Sequence, residues 1–177
     1  MLKKIAINFF LVLGLLTAQF GLVSGLPGIL PGINLIIASL IFTLALADFP
    51  AAAYLALGAG LIEDIYSFLP FGLHLGSLFL TLIAVNFLYK SFFTNRSLYS
   101  FAALTALANL AYLFTQKIIE LIINYFSGAG IKADFSVNFW LEAASIVILN
   151  IILTAVIFYI VNYLSHRFKP VFLVRRK

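Results

Sequence analysis

Apolar residues run in long blocks along this chain, and polar or turn-forming residues collect at a few points that cut the blocks into helix-sized pieces. A hydrocarbon core of about 30 Å takes roughly 20 residues of helix. Six blocks fit that description, at 5–23, 33–47, 51–68, 73–93, 98–126 and 138–164. The first follows Lys3 and Lys4 and is longer than the apolar stretch of a signal peptide, so it is expected to be an uncleaved anchor. Gly25 to Gly32, with Pro27, Gly28 and Pro31, breaks the helix and makes a turn-rich connection. The second block is short and ends at Asp48-Phe49-Pro50, where Pro50 suits the first turn of the next helix. Pro70-Phe71-Gly72 turns the chain between the third and fourth blocks, and a basic tail, 165–177, closes it.

Composition turns these blocks into a membrane assignment. Of 177 residues 64% are hydrophobic and only 10% are charged, at a mean hydropathy of +1.14, whereas soluble domains carry about 25% charged residues. The expected fold is therefore all-α, a polytopic membrane protein with six transmembrane helices in one domain, 1–177. Cys is absent and His occurs twice, which excludes a disulfide framework and a thiolate nucleophile and argues against a His-based metal centre. The net charge of +5 is explained by membrane orientation and not by nucleic-acid binding. With six crossings the termini share a side. That side holds nine basic residues and Asp48, net +8; the other holds Lys117 and Lys132 against Glu63, Asp64, Glu120, Asp134 and Glu142, net −3. Such a bias predicts both termini in the cytoplasm.

Five of the six acidic residues thus fall towards the outer leaflet, where a carboxylate among apolar helices is a candidate site. Glu63, His74, Lys117, Glu120 and Glu142 form a candidate outer-leaflet polar cluster. It reads either as an outward-facing pocket or partner-docking site, or as interfacial solvation with one ion pair, Lys117 to Glu120 or to Asp64. Gly60, Asp64 and Ser67 share a helix face, so Asp64 is expected to point inward and Glu63 towards the interface or another helix. Asn109, Tyr112, Gln116, Glu120 and Asn124 mark a polar stripe on the fifth block, and Asn150 and Thr154 lie near the middle of the sixth. Interhelical hydrogen bonding is the favoured role for these groups, ahead of a ligand pathway. Small residues, Ala52 and Ala56 among them, allow close approach on the third span and make a candidate partner groove. No P-loop, Gly-x-Ser-x-Gly elbow or His-Glu-x-x-His stands in the sequence, so no enzymatic activity and no cofactor are expected.

The run Gly60-Leu-Ile-Glu-Asp64, followed by Leu69-Pro70-Phe71-Gly72-Leu-His74, resembles the signature of the rod shape-determining MreD family, in which a Gly-rich helix ends in an Asp and a short turn starts the next helix. The matching residues are Gly60, Asp64, Pro70 and Gly72; Glu63 stands outside the pattern. Chain length, the basic N-terminus, the short second span and the basic tail are similar too. The resemblance implies a non-enzymatic scaffold of the bacterial cell-elongation machinery in the inner membrane, surrounded by membrane lipids. It would bind an MreC-like protein and, through it, the elongation transpeptidase, RodA and MreB. The architecture also resembles the substrate-binding subunits of energy-coupling-factor transporters, so the alternative is a membrane subunit that binds a vitamin-type small molecule. Those subunits carry Ala-x-x-x-Ala in the first span, where this chain has only Ala6 and Ala18; Ala52-x-x-x-Ala56 lies in the third.

Overall fold

The computed structural model describes residues 14–15, 17–23, 25, 27, 30–67, 69–93, 97–127 and 136–164. These form helices and turns, with no strand among the described residues. After a π-helical stretch, Gln19–Val23, and a 3-10 turn, Leu30–Gly32, come five α-helices: α1 (Leu35–Leu46), α2 (Phe49–Tyr66), α3 (Leu73–Ser91), α4 (Leu98–Ser127) and α5 (Val137–Leu164). They correspond to the second to sixth expected spans, with boundaries within two residues. The opening of the first span (5–13), Arg96, Lys132, Asp134 and the basic tail lie outside the described residues.

Local chemistry sets several of these boundaries. The Asn34 side chain accepts the Ile37 N–H at 2.9 Å and starts α1; the Asp48 carboxylate accepts the Ala51 N–H at 2.9 Å and starts α2, with Pro50 in its first turn. Three helices, Leu73–Ser91, Leu98–Phe126 and Val137–Tyr163, are long and apolar enough on their own to cross a membrane. The other two fall short for different reasons. α1 has only 12 residues, and α2, with 18, carries the Glu63–Asp64 pair near its end.

The packing is apolar outside and partly polar inside. Thr105, Asn109, Asn150 and Thr154 are buried, while Ile65, Phe87, Ile148, Ile152 and Val156 are exposed. A lipid-facing bundle has this distribution, because hydrocarbon replaces water as the outer solvent and polar groups turn inward for partners. α3 packs against both α2 and α4, and α4 against α5; α1 sits against α2 and α4. Near the Asp48 end the rings of Phe42, Phe101 and Phe158 tie α1, α4 and α5 together, with centroids 4.8 and 5.5 Å apart in sequence. One turn further along, the Thr105 and Thr154 hydroxyls pair at 2.9 Å.

Ala52 and Ala56 do not line an outer groove. Both are fully buried in the core shared by α1, α2, α3 and α4. Small side chains let helices approach closely, and here helices of the chain itself occupy the space.

Candidate functional site

The opposite end of the bundle is built around one carboxylate. Asp64, on the last full turn of α2, is 3% exposed. Its Oδ1 accepts the His74 N–H at 2.8 Å, and its Oδ2 accepts the N–H groups of Gly72 at 3.0 Å and Leu75 at 3.2 Å. The remaining amide of this first turn, Leu73 N–H, donates to the Pro70 carbonyl at 3.2 Å. Four backbone donors at the start of α3, which a helix cannot satisfy itself, are thereby all satisfied. The N-cap position belongs to Gly72, which has no side chain to offer. Asp64 does from the neighbouring helix what an N-cap Asp ordinarily does from within, and its charge complements the positive end of the α3 dipole.

The glycines make this geometry possible. Gly72 has φ +94, in the left-handed region, which a side chain would strain. At Gly60 a Cβ would stand 2.6 Å from the Leu75 Cα. α2 and α3 therefore touch backbone to backbone one turn before Asp64, close enough for a short carboxylate to reach the next helix. Gly60, Asp64, Pro70 and Gly72, the four residues of the family-like run, are brought together as one turn.

Glu63 lies on the other side of the same end. It is also buried, 8% exposed, and faces α3 and α4. Its Oε2 is 3.7 Å from His74 Nδ1. That ring nitrogen also lies 3.0 Å from the Tyr112 hydroxyl and 3.2 Å from Gln116 Nε2. The Tyr112 hydroxyl faces the Glu63 carboxyl as well, yet Oε2 itself has no hydrogen-bond partner among the described residues. Two adjacent carboxylates thus have unlike surroundings. Asp64 accepts from three backbone donors, and Glu63 is held in a side-chain group drawn from three helices.

The expected five-residue cluster is only partly assembled. Glu63 and His74 come together. Lys117 and Glu120 form their own pair on α4, Nζ to Oε2 2.9 Å and about a third exposed, which selects this pair over one with Asp64. Glu142 is exposed at the start of α5, and among the described residues its side chain makes no hydrogen bond or ion pair. The site's further members are Tyr112 and Gln116, which the sequence places on a polar stripe but does not connect to His74. Among the described residues no three His, Cys, Asp or Glu side chains converge to hold a metal ion. A search of known proteins finds no matching family model, no matching curated protein and no matching solved structure.

Proposed function

We propose that the protein is a non-enzymatic membrane scaffold of the bacterial cell-elongation machinery, of the rod shape-determining MreD type. In this reading it crosses the inner membrane six times with both termini in the cytoplasm. It binds an MreC-like partner and, through it, the elongation transpeptidase, RodA and MreB. The observation that carries the reading is the Asp64 turn. The four residues that match the family-like run, Gly60, Asp64, Pro70 and Gly72, serve one structural purpose, the capping and close packing of α3 on α2. A buried carboxylate that holds three backbone N–H groups of the next helix orders a turn, and this structural use favours a scaffold over an enzyme. The turn lies at the end of the bundle that the charge bias places outside the cytoplasm, where a periplasmic partner would meet it.

Copurification from bacterial membranes with the tagged full chain tests this directly. The scaffold expects an MreC-like protein, recovered less well with Asp64→Ala than with Glu63→Ala at equal protein level. Recovery of an ABC-type ATPase module, or saturable vitamin binding that is lost on changing Glu120 or Asn109, would instead establish the transporter subunit.

A further inference from the structure

The second expected span is the shortest of the α-helices in the structure. α1 has 12 residues, about 18 Å of helix, against a hydrocarbon core of about 30 Å. Its C-terminal end is fixed at Asp48, beside the Phe42, Phe101 and Phe158 rings at the start of α4 and towards the end of α5. Its N-terminal end is fixed by Asn150. Asn150 Oδ1 accepts the Asn34 N–H at 2.7 Å, and its Nδ2 donates to the Gly32 carbonyl at 2.9 Å and to the Ile146 carbonyl of its own helix at 2.9 Å. Asn150 lies midway along the 28 residues of α5, so α1 begins halfway along the most apolar of the three long helices.

The chain before it is not α-helical. Leu30–Gly32 is a 3-10 turn, closed by the Ile33 N–H on the Leu30 carbonyl at 3.0 Å; Ile33 lies outside any helix, and Asn34 is extended. Backbone of this kind is tolerated at membrane depth only when protein satisfies its polar groups, and here two amide side chains do so. Gln19 Nε2 donates to the Ile33 carbonyl and its Oε1 accepts the Leu35 N–H, both at 2.9 Å. Asn150 serves Gly32 and Asn34 in the same two-handed way. Gly32 fits because it has no Cβ: one would stand 2.8 Å from Ile146 Cγ1.

We propose that the second crossing is discontinuous: helical only over the half nearest Asp48, and non-helical at Gly32–Asn34 in the middle of the bilayer, with Gln19 and Asn150 as the positioning residues that seal it. The inference is independent of the scaffold reading and rests only on the chain's being embedded in a membrane. It also assigns the segment a role. The Gly32 and Ile33 carbonyls and the Asn34 and Leu35 N–H groups are all taken by Gln19 and Asn150, so the break is a closed joint between the first span and α1 and not a ligand site.

Depth is the decisive measurement. The chain has one tryptophan, Trp140, and no cysteine. Trp140→Phe with Leu35→Trp gives a single fluorescent reporter at the first residue of α1, and Trp140→Phe with Leu46→Trp gives one at its last. The full chain is reconstituted in phosphatidylcholine vesicles brominated at known acyl positions. Quenching at position 35 is expected to be strongest for the deepest bromines, and at position 46 for the shallowest. Should position 35 respond most to bromines near the headgroups, α1 starts at the membrane surface and the proposal is overturned. If the tryptophan variant fails to fold, Leu35→Cys carrying a nitroxide gives the same answer: high oxygen and low nickel-chelate accessibility supports a mid-bilayer start, and the reverse refutes it.

Discussion

Asp64 shows how much one side chain can decide. Replacing it by alanine would leave the N–H groups of Gly72, His74 and Leu75 without their acceptor, and each lost partner of a buried polar group costs about 1–3 kcal/mol. Asp64→Ala is therefore expected to lower the thermal unfolding temperature in detergent markedly. Asp64→Asn, which keeps one acceptor oxygen, should fall between it and wild type. Glu63→Gln should change stability much less, because among the described residues Glu63 Oε2 has no hydrogen-bond partner to lose. Wild-type melting of Asp64→Ala would remove the cap from the account of this turn. Gly60→Ala makes a companion test by another route. Its Cβ meets backbone, not a flexible side chain, so α2 and α3 must separate. A loss of about 1–3 kcal/mol, typical of overpacking, should appear in the same melts.

At the scale of elements, what the sequence revealed and what it hid follow from the range of the interactions involved. Helix limits were legible because Asp48, Pro50, Pro70 and Gly72 act within a turn or two of themselves. The inward direction of Asp64 was legible from the face it shares with Gly60. The partners of Asp64 were ten or so residues away and were suggested only by the turn between them. By contrast, the break at Gly32–Asn34 depends on Asn150, 116 residues further along, and His74 meets Tyr112 and Gln116 across 38 and 42 residues. No local pattern announces such pairings. The misreading of Ala52 and Ala56 has the same origin: small residues signal that something comes close but not which helix it is. Their burial changes the expected outcome of enlarging them. Ala52→Phe or Ala56→Phe should destabilise the fold itself, by about 1–3 kcal/mol or more, and any loss of partner should track the loss of folded protein. A variant that melts like wild type yet loses its partner would restore the groove. Asn150→Leu, similar in volume, strips the acceptor and donor from Asn34 and Gly32. It should lower stability by about 1–3 kcal/mol, more than the roughly 0.6 kcal/mol average for one hydrogen bond between membrane helices, because it breaks bonds to two other residues at once.

For the whole molecule the open quantity is how many times the chain crosses, and in which direction. Three helices qualify on length and apolarity alone. The remaining crossings depend on physical arguments of different kinds. α2 contains two carboxyl residues, but both are turned inward and one accepts three backbone N–H groups, so its outer surface, with Tyr54, Leu57, Leu61 and Ile65 exposed, stays apolar. α1 is too short on its own, and in the proposed discontinuous crossing the backbone held by Gln19 and Asn150 would extend it. On the proposed six-span reading, successive helices α2, α3, α4 and α5 would place alternate ends on opposite sides, and the distribution of Lys and Arg would select the direction. Because the chain has no cysteine, single cysteines report without background. A membrane-impermeant maleimide applied to intact cells is expected to label cysteines placed at Gly28, Leu69 and Ala133 and to spare those at Thr94 and Val174. After permeabilisation the last two should react. The position of Leu69 is the most informative, since it sits in the turn that Asp64 organises and is half exposed. Labelling at Thr94 from outside would invert the bundle and put the Asp64 turn in the cytoplasm. A periplasmic partner could not reach it there, and the scaffold reading would lose the surface on which it depends.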